Sequence, residues 1–303
     1  MTDLDARPLR TVLVDAERRL AAAGVPDPRV DSELLLARVL GVSRTRLVLS
    51  NDVDRSDLGR FEIMVTRRIS RVPLQHILGE APFRYRMLQV GPGVFIPRPE
   101  TEIVTEAGIR ALRATSTPAP IAVDLCSGSG SVALALATEV PDATVYAVEL
   151  AADAVTWLTR NVEQAHAELV AVRSVVHIVH ADAGSVHEQE VSELVGLVDV
   201  VVCNPPYLPS GALPRDPEVR EFDPPIALYG GEDGLDVVRA IAISAAALLR
   251  PGGTLVVEHG DAQGTSAAAA GVPFVLTDNG SYDQVNDRVD LAGRDRFTMA
   301  VRR

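Results

Sequence analysis

Apolar and polar positions along the 303-residue chain follow two different rhythms, and the change between them divides the sequence. Over residues 8–79 the spacing is helical. Leu9, Val12, Leu13, Ala16 and Leu20 fall at i, i+3, i+4, i+7 and i+11, one apolar face of a helix that stops at Gly24. Pro28 suits the first turn of a second helix through Leu34–Leu40, with Gly41 as its stop. A third short helix is expected over Thr45–Ser50. Leu58, Phe61, Met64, Val65 and Ile69 mark a fourth, and Pro73 opens a last one that ends at Gly79. Short connections between such helices predict a small bundle.

From Phe83 the texture becomes extended. Phe83, Tyr85, Met87 and Leu88–Val90 read as a strand, Gly91-Pro92-Gly93 as a turn and Val94–Ile96 as a returning strand. A helix is expected from Pro99 to about Arg113, followed by a Pro/Thr/Ser connector over Ala114–Pro120. Beyond it strands and helices alternate. The strands are Ile121–Leu125, Thr144–Glu149, Val175–His180, Val198–Cys203 and Thr254–Glu258; the helices are Ser131–Glu139, Ala151–Glu168 and Asp233–Leu249. Phe274–Thr277 and Arg296–Val301 read as two closing strands. Strict alternation, with strands apolar on both faces, predicts a parallel sheet covered on both sides. The expected layout is a helical domain over 1–79, a hairpin linker over 80–100 and an α/β domain over 101–303.

Charge sharpens that division. The formal net charge is −12, and all 29 basic residues are Arg. The absence of Lys excludes Schiff-base chemistry and a P-loop lysine. Residues 1–116 carry 18 Arg against 15 acids, whereas residues 117–303 carry 11 against 26. So acidic an α/β part argues against stable nucleic-acid binding. Cys126 and Cys203 are the only cysteines and form no CxxC spacing, which excludes a disulfide framework and a cysteine zinc site. His177, His180 and His187 share no metal-ligand spacing, so no metal is expected. The start of the chain lacks an apolar signal core, and no run of 18 apolar residues occurs. A cytoplasmic, monomeric protein with no membrane contact is the expectation.

Two motifs carry chemistry. Asp124-Leu125-Cys126-Ser127-Gly128-Ser129-Gly130 joins the first α/β strand to its helix, where glycines let backbone approach a ligand. Glu149 ends the next strand, where an acid accepts from the ribose hydroxyls of a nucleoside. A lone G-x-G also occurs in ordinary strand-to-helix turns. The third glycine of a dinucleotide fingerprint is missing, since Ala133 follows Val132, and S-adenosylmethionine therefore fits better than NAD. The second motif, Asn204-Pro205-Pro206-Tyr207, directly follows strand Val198–Cys203. Its prolines stiffen a turn and cannot donate. The Asn204 oxygen and an adjacent carbonyl can then accept both hydrogens of one planar NH2 group, aiming its nitrogen lone pair at an electrophile, while Tyr207 offers a face to stack on. A rigid proline turn with a capping Asn would read the same way without this chemistry.

Asn-Pro-Pro-Tyr after a fourth strand resembles amino-methyltransferases of DNA adenine, ribosomal RNA guanine and protein glutamine. Three further stretches select among them. Phe95-Ile96-Pro97-Arg98-Pro99-Glu100-Thr101-Glu102 is similar to a signature of the HemK/PrmC family, the glutamine methyltransferases of peptide chain release factors. Glu218-Val219-Arg220-Glu221-Phe222-Asp223-Pro224 with Gly230-Gly231-Glu232-Asp233-Gly234 resembles that family's loop after the catalytic motif. Glu258-His259-Gly260 with Gln263-Gly264 matches its fifth-strand motif.

The resemblance implies a Rossmann-like S-adenosylmethionine-dependent domain joined by a β-hairpin to a helical bundle that recognises substrate. The reaction implied is methyl transfer to the glutamine amide of the Gly-Gly-Gln motif of release factors, with S-adenosylhomocysteine as product. By position, cofactor binding falls to Phe95, Pro97, Asp124, Cys126, Ser127, Gly128, Ser129, Gly130, Glu149, Asp182, Ala183 and Asn204. Catalysis and substrate binding fall to Asn204, Pro205, Pro206 and Tyr207. Two positions depart from the family: Cys126 replaces the usual first glycine, and Ala183 replaces a frequent aromatic. Amino-methylation of nucleic acid is the rival enzyme reading, and a nucleoside-binding protein without turnover the rival outside enzymes.

Overall fold

A computed structural model describes residues 6–265 and 271–303. The chain divides into two compact units, Met1–Glu80 with Pro214–Phe222, and Ala81–Leu213 with Asp223–Arg303.

In the first unit the helical stripes become α1 (Leu9–Ala22), α2 (Pro28–Leu40), α3 (Arg55–Ile69) and α4 (Leu74–Leu78). Leu9, Val12, Ala16 and Leu20 of α1 meet Leu35 and Leu36 of α2 and Phe61 and Val65 of α3 in one core. Gly41 and Gly79 close α2 and α4 in the left-handed conformation that side chains resist. The expected helix at Thr45–Ser50 is instead a 3-10 turn over Arg44–Leu49. Leu47 alone is buried there, while Val48 and Leu49 are exposed, so a single anchor does not sustain an α-helical face. The short helix Pro217–Phe222 belongs to this unit through Glu218. Its carboxylate takes Arg71 at 2.5 and 2.8 Å and Arg68 at 2.7 Å, and Arg68 also reaches Asp31 at 2.6 Å.

The second unit is built on a seven-stranded sheet. Its strands are β1 (Ile121–Leu125), β2 (Thr144–Glu149), β3 (Val175–His180), β4 (Val198–Cys203), β5 (Leu249–Glu258), β6 (Tyr282–Val289) and β7 (Asp295–Arg302). In space they run β6-β7-β5-β4-β1-β2-β3. Strands β1 to β5 run parallel to one another, whereas β7 pairs antiparallel with both β5 and β6. Alternate residues serve opposite faces, as the pleat requires. Val123, Leu125, Val201, Cys203, Leu255 and Val257 point to one core; Ala122, Val200, Val202 and Val256 point to the other. The second core packs under α5 (Pro99–Ala114), α6 (Ser131–Glu139) and α7 (Ala152–Gln164), and the first under α8 (Asp236–Leu248) and α9 (Val272–Asp278). The strand order reverses at β1 and β4, which puts a crevice at their carboxyl ends.

Three further expectations about elements need correction. Phe274–Thr277 is helical, within α9, because Pro273 stands in its first turn; the closing strand is β6. The expected helix Ala151–Glu168 is two helices, α7 and His166–Ala171. The hairpin pairs Glu80–Phe83 with Arg86–Gln89 and turns at Arg84-Tyr85, so Val94–Ile96 is no strand. Asn161 of α7 explains why: its side chain accepts from Gln89 N at 2.7 Å and donates to Gln89 O at 3.0 Å. A helix side chain thus takes the place of the next strand residue. Gly91 then lies against the Trp157 ring, where a Cβ would collide.

Candidate active site

The crevice is built from two halves. One is the loop from β1 to α6. Cys126, Gly128 and Gly130 have φ of 68°, 54° and 84°, so three of five consecutive residues are left-handed. Glycine adopts this freely and cysteine with strain. Cys126 turns against the same sheet face as Cys203, and burial with Cys126 beside it pushes the Cys203 thiol up. Asp124 fastens the loop from beneath. Its Oδ2 accepts from Ala133 N at 3.0 Å, and its carbonyl accepts the Ser127 hydroxyl at 2.9 Å. Burial lifts the Asp124 carboxyl to about 7 against these hydrogen bonds. Ser127 and Ser129 are buried too, and the Ser129 carbonyl accepts from Asn161 at 2.9 Å. Above Gly128 the space is open, with no atom within 4 Å of where a Cβ would sit.

Glu149 at the end of β2 braces this loop. Its Oε2 accepts from Gly128 N and its Oε1 from Ala151 N, each at 2.8 Å. Two oxygens have about four acceptor positions, so each retains one. Asp182, after β3, is exposed and accepts from Gly184 N at 2.8 Å, while Ala183 is buried.

Asn204-Pro205-Pro206-Tyr207 forms the second half. Strand β4 is buried throughout, so Asn204 leaves the sheet from a fixed base. Three distant segments then hold the turn. The Asn204 Nδ2 donates to the Thr101 hydroxyl of α5 at 3.2 Å. The Tyr207 carbonyl accepts from Gln263 at 2.9 Å, and Gln263 accepts in turn from Gly260 N at 3.0 Å. Gly230 and Gly234 lie flat against the turn: a Cβ on either would collide with the Pro206 or Tyr207 carbonyl. Leu208 N donates to Leu228 O at 2.8 Å, and Gly230 N to Leu208 O at 2.9 Å, which zips the two loops together. Tyr207 is half-buried, and desolvation with Glu258 nearby pushes its phenol up to about 12.

A third wall is Phe95–Pro97. Ile96 is buried, and Phe95 and Pro97 are half-buried. The Arg98 guanidinium lies 5.0 Å over the Phe95 ring and donates to Asp223 at 2.7 Å, tying this segment to the loop that follows the Asn204–Tyr207 turn. Thr101, Glu258 and Gln263 lie within the Phe95–Glu102 and Glu258–Gly264 motifs, yet nothing in their spacing assigns them a contact. Their roles depend on pairings across the fold.

Residues 11–79 match the family model of the PrmC N-terminal domain, and residues 88–214 that of the methyltransferase small domain. A release factor glutamine methyltransferase of Streptomyces coelicolor is 46% identical, over 95% of this chain and 96% of its own. A 4-amino-L-phenylalanine/4-methylamino-L-phenylalanine methyltransferase of Streptomyces pristinaespiralis is 38% identical, over 92% of this chain and 91% of its own. Among solved structures, the T. thermophilus 16S rRNA N2 G1207 methyltransferase, in complex with AdoMet and guanosine, shares the fold at 22% identity. Its TM-score is 0.50, covering 74% of this chain and 50% of that one. With near-complete coverage at such identity, this chain belongs to the release factor glutamine methyltransferase family.

Proposed function

We propose that this protein transfers a methyl group from S-adenosylmethionine to the side-chain amide nitrogen of the glutamine in the Gly-Gly-Gln motif of peptide chain release factors. The observation that carries the reading is the Asn204–Tyr207 turn, an acceptor-rich corner locked from three sides at the mouth of a crevice. Family membership supports the same substrate class.

The residues present suit the cofactor. Open space over Gly128 leaves room beside the loop, and Glu149 keeps acceptor positions suited to ribose hydroxyls. Phe95, Pro97, Cys126–Gly130, Asp182 and Ala183 would complete that pocket. When bound, S-adenosylmethionine supplies an electrophilic methyl group.

The chain's own residues then have one main task. An amide nitrogen is a poor nucleophile because its lone pair is delocalised, so catalysis rests on orientation and on acceptors that stabilise developing positive charge. Asn204 Oδ1 and the Pro205 carbonyl accept the two NH2 hydrogens and turn the nitrogen toward the reacting methyl. Tyr207, a neutral phenol, packs beside the amide plane. No strong base is required before transfer, because the proton leaves to water afterwards.

The slightly basic helical domain over residues 1–79 supplies a second contact with the release factor, raising the effective concentration of its loop at the crevice. Such a substrate places the reaction in the cytoplasm. The test is incubation with labelled methyl donor, intact release factor and free DNA, with mass spectrometry of the labelled product. Label on the Gly-Gly-Gln glutamine supports the proposal; label on DNA bases alone overturns it.

A further inference from the structure

We infer that Asn161 is a positioning residue for the cofactor pocket, holding two of its walls at a fixed spacing from within α7. Asn161 is 2% exposed, and its amide makes three hydrogen bonds to backbone. Gln89 N donates to its Oδ1 at 2.7 Å, while its Nδ2 donates to Gln89 O at 3.0 Å and to Ser129 O at 2.9 Å. A backbone N–H only donates and a backbone carbonyl only accepts, so the role of each end of the amide is fixed. The two bonds to Gln89 set the plane of the amide. Its second N–H then points in one direction, and the Ser129 carbonyl lies there.

The two partners lead to different walls. Ser129 belongs to the β1–α6 loop, and Gln89 begins the stretch that runs to Phe95 and Pro97. Other side chains of α7 lie against both. A Cβ on Gly130 would collide with Leu158, one on Gly91 with Trp157 and one on Gly93 with Asp153. The Trp157 indole also donates to Pro92 O at 3.2 Å. Packing thus sets each segment on the helix, and Asn161 bonds to both. Its burial means that removing it leaves backbone groups unpaired, which costs more than the bonds themselves contribute. The inference rests on the reading of this crevice as the S-adenosylmethionine pocket.

The test uses the full chain with Asn161→Asp, Asn161→Ala and, as a control, Thr156→Gly, which weakens α7 at an exposed position. The Asp variant keeps the acceptor for Gln89 N and sets an oxygen against the Gln89 and Ser129 carbonyls. By calorimetry, affinities for S-adenosylmethionine and S-adenosylhomocysteine should each fall at least about tenfold in both Asn161 variants, and stay within about threefold in the control. At saturating methyl donor, kcat on a Gly-Gly-Gln peptide and KM for that peptide should stay within about threefold of wild type. Wild-type affinity in the Asn161 variants would overturn the inference. So would a control as impaired as they are, or a loss confined to kcat.

A second readout needs no variant. Hydrogen exchange of the wild-type Gln89 amide should slow at least about tenfold at saturating S-adenosylhomocysteine, because a ligand that fixes the loop also fixes the side chain bonded to both. Unchanged exchange would overturn the inference even where the Asn161 variants do not fold. A wild-type protein that binds neither ligand would overturn the pocket reading, and this inference with it.

Discussion

Gln263 spans two backbone groups with one side chain: its Nε2 donates to the Tyr207 carbonyl at 2.9 Å while its Oε1 accepts from Gly260 N at 3.0 Å. Only an uncharged amide offers a donor and an acceptor in this arrangement. Gln263→Glu puts an oxygen against the Tyr207 carbonyl, so turnover should fall by about tenfold or more, on the scale of one lost hydrogen bond to an ordered turn. Steady-state kinetics check this, with methyl-donor affinity expected to stay near wild type.

Asn204→Ala removes the acceptor and the inward donor together. Turnover should fall by about 10²–10³, while cofactor affinity stays within roughly tenfold. Calorimetry and single-turnover labelling separate the two effects, and an alanine variant with wild-type turnover would remove this turn from the chemistry.

Glu149 holds the β1–α6 loop before any ligand arrives, through Gly128 N and Ala151 N. Glu149→Gln turns one acceptor into an NH2 group facing a backbone N–H. Affinity for S-adenosylmethionine and for its demethylated product should both weaken, by about 1–3 kcal/mol. Titration calorimetry with each ligand measures it.

Burial alone would raise the Glu218 carboxyl, yet the hydrogen bonds from Arg71 and Arg68 outweigh it and hold the group at about 2, below its ordinary 4.5. A carboxyl lowered on folding stabilises the fold above its unfolded value, and that stability is lost as pH falls from 4.5 towards 2. Glu218→Gln should therefore make the α3 amides exchange faster at pH 7, and the difference from wild type should shrink steadily as the pH is lowered through that window. Hydrogen exchange at several pH values is the measurement. A difference that grows on acidification would contradict it.

The regular elements were legible because local rules agreed with the fold. Leu9 to Leu20 kept one helical face, β4 was apolar at every position but Asp199, and Gly41 and Gly79 stopped their helices. The failures had physical causes outside the local pattern. Val94–Ile96 lost its strand partner to a side chain, Asn161, which pairs with Gln89 from 72 positions away. Phe274–Thr277 is a short apolar run that suits a strand or a helix equally, and it became helical behind Pro273 with Val275 and Leu276 packed on the sheet. Asn204 stood out within its motif. Its neighbour Thr101, 103 positions earlier, could be found only once α5 was laid across the sheet.

The assignment of Pro214–Phe222 to the helical unit means that the polypeptide passes between units three times, at 80/81, 213/214 and 222/223. The helical unit is therefore not a contiguous cassette. An exchange of residues 1–80 with those of a relative, made to transfer its substrate preference, would import new partners for Glu218 while leaving Glu218 itself behind. Grafts should carry both segments, with Arg68, Arg71 and Glu218 taken from a single donor, so that the charge cluster arrives complete.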